Sequence, residues 1–481
     1  MTITQIKKLD TPDAFAAYVA ELGIDIPIAD PAGGALDQPI TITDGSAGAH
    51  AVGNRWCILP MEGWDGTADG LPTPLVQRRW QRFGQSGAKL IWGGEAVAVV
   101  DTGRANPHQL VAGPDRVDAF DTLRAGLVLA HAEAGFDPDD LLVGLQLTHS
   151  GRWSRPTGDP RPRIMYRHPV LDARVGAEDH ALLGDDELEV LSDQYLAAAH
   201  MARAAGFSFV DVKACHGYLL HESLTAIDRP GPYGGDFAGR TRLLLGIIDR
   251  IRSELPDLAI GVRLSAIDEV PHTMGTDGVG VAEPGGGYRL TFGRHPESGA
   301  VDLDEPDRLL AELAQRGVGM VCVTLGSPYY NPHIQRPAYF PPSDGYLPPE
   351  DPLIGVARQL DITQQLTRSH PDLAIVGSGY TYLQQWLPYV AEAVVAAGGT
   401  DLVGLGRMVL SYPHLPVDVA AGQPLDRRLL CRTFSDCTTA PRNGLISGCY
   451  PLDPFYKQRP ERRTLTIAKR EAEAARGGRR R

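Results

Sequence analysis

No stretch of the chain holds the roughly 18 consecutive apolar residues that a membrane-crossing helix requires. The N-terminal MTITQIKKLDTPDAF has no apolar core of a secretion signal. Both absences predict a cytoplasmic protein without a membrane partner. Cysteine is scarce: six are scattered over 481 residues, a pattern of reduced thiols rather than a disulfide framework. Positive charge is in deficit, with 46 Lys and Arg against 59 Asp and Glu and a net charge of −13, which argues against a nucleic-acid partner. The basic C-terminal RGGRRR is too short to change this and reads as a solvated tail. No GxGxxG follows the first apolar run, so a doubly wound dinucleotide fold is disfavoured. Repeats and low-complexity segments are also missing.

What is present is a regular alternation. Short runs rich in Val, Ile and Leu occur at 55–60, 88–94, 141–149, 207–215, 258–265, 318–326, 373–379 and 400–406. Their nearly continuous apolar character is that of parallel strands covered on both faces. Helical patterns lie between them at 73–85, 119–134, 186–205, 238–254, 305–316, 352–369 and 382–397. Eight such β units predict an α/β protein with one (β/α)8 TIM barrel at residues 51–425. Residues 1–50 read as a lead-in, and 426–481 as a C-terminal extension. Two long Gly/Pro-rich loops, 266–302 and 327–352, leave the C-terminal ends of the fifth and sixth strands, the face where barrels build active sites.

The strand ends supply the chemistry. Gly377, Ser378 and Gly379 end the seventh strand, and Gly406 and Arg407 the eighth. Glycine-rich turns there can cradle a phosphate with backbone N–H groups, and Arg407 adds a bidentate charge; tight turns alone would also use such glycines. Gln146 and Arg263 lie where a polar heterocycle edge would sit. Arg263 is a charge inside a strand and needs an anion; a carboxylate such as Asp211 or Glu95 is the alternative to a ligand. At the fourth strand, DVKACHGYLLH offers Lys213, His216 and Tyr218. Pairing of Lys213 with Asp211, two residues back on the same face, competes with a role for it in a site.

Together NRWCILPMEG, VGLQLTHSGR, FVDVKACHGYLLHE, YGGDFAGRTR, IGVRLSA and LVGLGRMVL resemble, in order, the old yellow enzyme family of FMN-dependent NADH:flavin oxidoreductases. The HxxR of His333 and Arg336 and a late cysteine cluster are similar to the 2,4-dienoyl-CoA reductase and trimethylamine dehydrogenase branch. The resemblance implies FMN over the barrel mouth. Pro60, Met61, Glu95, Gln146 and Arg263 would line its ring and ribityl chain; Gly377, Ser378, Gly379, Gly406 and Arg407 would hold its phosphate. NAD(P)H would supply hydride for reduction of a small unsaturated carbonyl compound, with Tyr329 and Arg336 binding substrate and Lys213, His216, Tyr218 and His333 as catalytic groups. Tyr218 is expected to give the proton, its pKa lowered by Lys213. The family also implies a homo-oligomer.

Two departures stand out. A lysine replaces the neutral donor at the first of the two oxygen-gripping positions, which favours an anionic or enolate-like oxygen. The branch's four-cysteine spacing is incomplete: Cys431, Cys437 and Cys449 are present, while Leu430 and Thr433 occupy two slots. A [4Fe–4S] cluster is therefore a weak expectation beside structural thiols. The extension is too short for the branch's FAD domains, so electrons are expected from a nicotinamide or an electron-transfer partner. Aromatising or demethylating oxidation, and a Schiff-base lyase using Lys213, are the alternative chemistries.

Overall fold

The structure is a computed structural model that describes residues 3–283, 289 and 291–476. Eight parallel strands close a barrel. They are β1 (Trp56–Ile58), β2 (Leu90–Ile91, resumed at Ala96–Ala98), β3 (Leu142–Thr148), β4 (Phe209–Ala214), β5 (Ala259–Ser265), β6 (Met320–Thr324), β7 (Ala374–Gly377) and β8 (Leu402–Leu405). β8 returns to β1 through Val403 opposite Trp56, and β2 meets β3 through Leu90 opposite Leu142 and Ala96 opposite Gln146. The predicted (β/α)8 barrel is the observed fold.

β2 is broken at Trp92–Glu95. Gly94 takes a left-handed φ of +58°, and a Cβ there would meet the Trp80 ring at 2.3 Å. Only glycine allows that close approach. The break turns Trp92 into the barrel, where it packs edge-on against Phe209 at 5.6 Å. Glycines on neighbouring strands make room: a Cβ on Gly144 would meet the Phe209 ring at 2.3 Å, and one on Gly261 would meet Trp92 at 3.2 Å. Leu90, Met320, Cys322 and Val376 complete this buried interior.

The lead-in forms a hairpin, Ile40–Asp44 with Gly48–Val52, that plugs the barrel floor. Ile42 and Val52 enter the interior cluster. Asp44 is fully buried; it accepts hydrogen bonds from the backbone N–H groups of Ile260 and Gly319, each at 3.0 Å, and from Arg252 at 2.6 Å. One carboxylate thus ties the hairpin to β5, to the entry of β6 and to a helix. The long loop after β5 carries a small hairpin, His272–Met274 with Gly280–Ala282. That after β6 carries a one-turn helix, Pro332–Gln335. Residues 477–481 of the basic tail lie outside the described residues.

The C-terminal extension folds back over the barrel mouth. Asp453 bridges Arg78 at 2.9 Å, Phe455 lies under the same guanidinium at 4.3 Å, and Arg476 donates to Gly345 O at 2.7 Å in the loop after β6. The helix Asp436–Arg442 is thereby set against the strand ends. Among the described residues no helix is long and apolar enough to cross a membrane.

Replacing Asp44 with Ala leaves the buried N–H groups of Ile260 and Gly319 without their carboxylate acceptor and removes the counter-charge of Arg252, which keeps the Gly317 and Leu258 carbonyls. The expected loss is about 3 kcal/mol of stability, read by denaturant unfolding of the variant against the parent protein.

Candidate active site

Two adjoining clefts open at the C-terminal strand ends, of about 820 and 710 Å³. Pro60, His216, Arg263, Arg336 and Thr438 line both, so they form one elongated site.

The 710 Å³ cleft is bordered by Met61, Ser378, Gly379, Gly406 and Arg407. Gly379 is left-handed at φ +95°. A Cβ on Gly406 would meet only Met61 Sδ, at 3.7 Å, so the backbone here faces open space. Arg407 donates Nη2 to Pro337 O at 3.0 Å, while its Nη1 is buried with no partner. An unpaired buried guanidinium N–H beside bare backbone is what a phosphate would complete.

Arg263 stands where the clefts join. Its Nε is buried without a partner, and neither proposed carboxylate pairs with it. Asp211 accepts from the Arg263 backbone N–H at 2.7 Å and from Gln146 Nε2 at 2.5 Å, and burial lifts its carboxyl to about 6. Asp211 therefore orients Gln146 toward the cleft. Arg407 with bare backbone in one cleft, and Arg263 with Gln146 where the clefts adjoin, supply partners for a phosphate and for a polar heterocycle edge, and the residues present fit FMN.

The 820 Å³ cleft holds the groups of the fourth strand. Lys213 is 5% exposed and places Nζ 4.0 Å from the Tyr218 ring centroid. No ion pair among the described residues engages it, so the pairing with Asp211 is not formed. Burial lowers its pKa against the opposing pull of Cys215 and Glu62. His216 adopts φ +67°, a strained value for a non-glycine residue. A clamp holds it: its N–H donates to Ser265 Oγ at 3.0 Å, and its carbonyl accepts from Ser327 Oγ at 2.7 Å. Burial, then Arg263 and Lys213, push its pKa far down, leaving a neutral imidazole with Nε2 3.1 Å from Gln335 Nε2.

Tyr218 shares a 2.9 Å hydroxyl–hydroxyl hydrogen bond with Tyr329, which stacks on Trp153 at 4.4 Å. Its phenol is raised well above the ordinary value by burial, then by Tyr329 and Glu62. The expectation that Lys213 lowers it is wrong. The ammonium lies over the ring face, and desolvation decides the sign.

Three more residues stand elsewhere than expected. Glu95 is buried in an ion-pair cluster, taking Arg79 at 2.6 Å beside Asp65, and does not border either cleft. The break in β2 turns it away from the mouth. Gly377 also stays out of the lining; a Cβ there would meet Tyr380 and Thr400. His333 points to Tyr346 Oη at 2.8 Å and packs edge-on against His272 at 4.5 Å, because the one-turn helix rotates it off the cleft and presents Gln335 instead. Cys431, Cys437 and Cys449 are free thiols, and among the described residues no group of three or more His, Cys, Asp or Glu is placed to hold a metal. Cys437 borders the cleft; Cys431 and Cys449 do not.

Sequence reading placed Glu62 at the first strand end without giving it a role, and missed Trp64, Gln335 and Arg442 as lining groups. Glu62 directly follows the Pro60–Met61 strand end and was visible there. Arg442 lies far beyond the last strand, with no local signal.

Arg407→Ala is expected to weaken FMN retention about 10- to 100-fold, the range for one charge-assisted hydrogen bond, measured by fluorescence titration of the apoprotein.

The NADH:flavin oxidoreductase / NADH oxidase family model matches residues 137–286. The chain is 28% identical over 340 residues to NADH:flavin oxidoreductase FG08077 of Gibberella zeae, covering 67% of this chain and 71% of that one. It is 26% identical over 337 residues to putative 12-oxophytodienoate reductase 2 of Oryza sativa, covering 68% and 73%. Among solved structures, morphinone reductase in complex with tetrahydroNAD aligns at a TM-score of 0.55 with 20% identity, over 81% of this chain and 92% of that one. A 2-naphthoyl-CoA reductase aligns at 0.65 with 17% identity, over 90% of this chain; the chain spans 58% of its length. The family match over residues 137–286, the curated relatives and the cleft's fit to FMN converge: the chain is similar to the NADH:flavin oxidoreductase / NADH oxidase family, the old yellow enzyme family, and is an FMN-dependent NAD(P)H oxidoreductase.

Proposed function

We propose that the protein reduces the electron-poor C=C bond of a small α,β-unsaturated carbonyl compound. The observation that carries this reading is the convergence of Lys213, His216 and Tyr218 on one cleft that adjoins the one lined by Gly379, Gly406 and Arg407. Bound FMN supplies hydride transfer, from NAD(P)H and then to the substrate carbon.

The chain's own residues handle charge and proton. Lys213 is a desolvated cation without a carboxylate partner, suited to negative charge developing on the carbonyl oxygen. His216 is neutral and held rigidly, so it can share that oxygen as a donor without adding charge. Tyr218 keeps its proton at any working pH, because burial holds the phenol far above neutrality. It can release that proton only to a strong base such as the α-carbon left after hydride addition. Tyr329, hydrogen-bonded to Tyr218, is placed to pass a proton inward. Trp64, Tyr218 and Tyr329 wall the cleft with aromatic surface and limit water.

Tyr218→Phe should slow substrate reduction about 10²- to 10⁴-fold, the range for a general acid, while stopped-flow reduction of FMN by NAD(P)H stays unchanged. Equal losses in both half-reactions would remove the proton-donor role. Lys213→Met should weaken phenolate ligands about 10- to 100-fold in spectral titration; unchanged affinity would make the lysine structural.

A further inference from the structure

With Arg407 assigned to the phosphate and Arg263 to the ring, Arg336 is a guanidinium in the site with no ion pair among the described residues, and Arg442 beside it is paired only with the exposed Asp344. Arg336 lies at the junction of the clefts. It donates Nη1 to Thr438 Oγ1 at 2.5 Å, and its Nη2 is buried with no partner. Among the described residues no carboxylate forms an ion pair with it; the acidic group that acts on it, Asp344, is already bridged to Arg442 at 2.5 Å. Burial and the neighbouring Arg442 and Arg407 hold the Arg336 guanidinium down to about 9. A buried cation pressed against two others is costly unless an anion joins them.

Arg442 borders only the 820 Å³ cleft. Its second nitrogen, Nη2, donates to Pro328 O at 3.2 Å, which fixes the guanidinium 5.9 Å from the Tyr329 ring centroid. Tyr329 in turn bonds Tyr218. The cationic end is thus one aromatic ring beyond the proton donor. Glu62 shapes the charge at the other end: it borders the same cleft and acts on Lys213. Burial raises the pKa of Glu62 against the pull of Lys213, so that end already holds an acidic group, while the arginine end offers an open guanidinium N–H.

We propose that Arg336 and Arg442 form a carboxylate subsite, so that the substrate is an unsaturated carbonyl compound that also bears a carboxylate. This rests on the enone-reduction reading and narrows its substrate class.

The test compares trans-4-oxopent-2-enoate with its methyl ester, using the holoenzyme and NAD(P)H. The parent protein is expected to favour the acid in kcat/KM by about tenfold or more, an advantage that shrinks as salt rises. Arg442→Gln should lose about 10- to 100-fold on the acid and less than about twofold on the ester, and Arg442→Lys should recover part of the loss. Equal treatment of acid and ester by the parent protein, or equal losses in Arg442→Gln, would overturn the subsite. Should Arg336→Gln release FMN while the preference for the acid persists, Arg336 belongs to the phosphate and the proposal also fails. If the parent protein turns over neither compound, enone reduction is what fails. Equilibrium dialysis of the acid onto holoenzyme then judges the subsite alone: binding that Arg442→Gln abolishes supports it, and binding that the variant leaves unchanged overturns it.

Discussion

Buried positive charge without matching buried negative charge is the constraint on which the barrel mouth depends. Among the described residues Arg263, Arg336 and Arg407 form no ion pair and each keeps a buried N–H without a partner, and Lys213, over a ring face and within the field of Glu62, forms no ion pair either. Elsewhere arginines sit against buried carboxylates: Arg79 takes Glu95 and Asp65, Arg152 takes Glu222 at 2.8 Å together with Asp172, and Arg252 takes Asp44. In a protein with a net charge of −13, four cations without an ion pair in one site are what an anionic ligand would complete. FMN accounts for part of that set.

The architecture holds those cations in place against mutual repulsion. The Asp44 plug fixes the floor, and the Trp92–Phe209 interior, fitted by glycines on the facing strands, fixes the strand register. The mouth is closed from above by the C-terminal extension, which contributes Cys437, Thr438 and Arg442 to the cleft wall and is anchored through Asp453 to Arg78. The extension is therefore part of the site.

Most of the barrel was legible in the sequence because parallel strands buried on both faces must be continuously apolar, and the runs lie within a few residues of β1–β8. The site was legible where a residue stands directly at a strand's C-terminal end, as Pro60, Gln146, Lys213, Arg263 and Arg407 do. It failed where the backbone changes direction. Glu95 follows the broken β2 and is turned to Arg79; His333 sits on a single helical turn that presents Gln335 in its place. Arg442 could not be read at all, since a contact made by folding back has no periodicity at its own position. The Tyr218 pKa failed for another reason. Counting charged neighbours gave one sign, and desolvation of a nearly fully buried phenol gave the other.

That reversal bears on why a lysine stands where the resemblance implies a neutral donor. A phenol with a raised pKa is a reluctant acid, so proton transfer waits until the substrate carbon is strongly basic. A carbonyl oxygen gripped by two neutral donors stores little charge, and the carbon stays basic. A desolvated ammonium instead pulls charge onto the oxygen, which lowers the barrier to hydride addition but makes the carbon a weaker base. Glu62 restores the balance. It borders the same cleft, acts on Lys213, and keeps one carboxyl oxygen buried without a partner, so the lysine's field is partly offset before substrate arrives. On the proposed reading Lys213, Glu62 and Tyr218 would act as one set, the cation assisting the first transfer and the carboxyl beside it moderating that cation for the second.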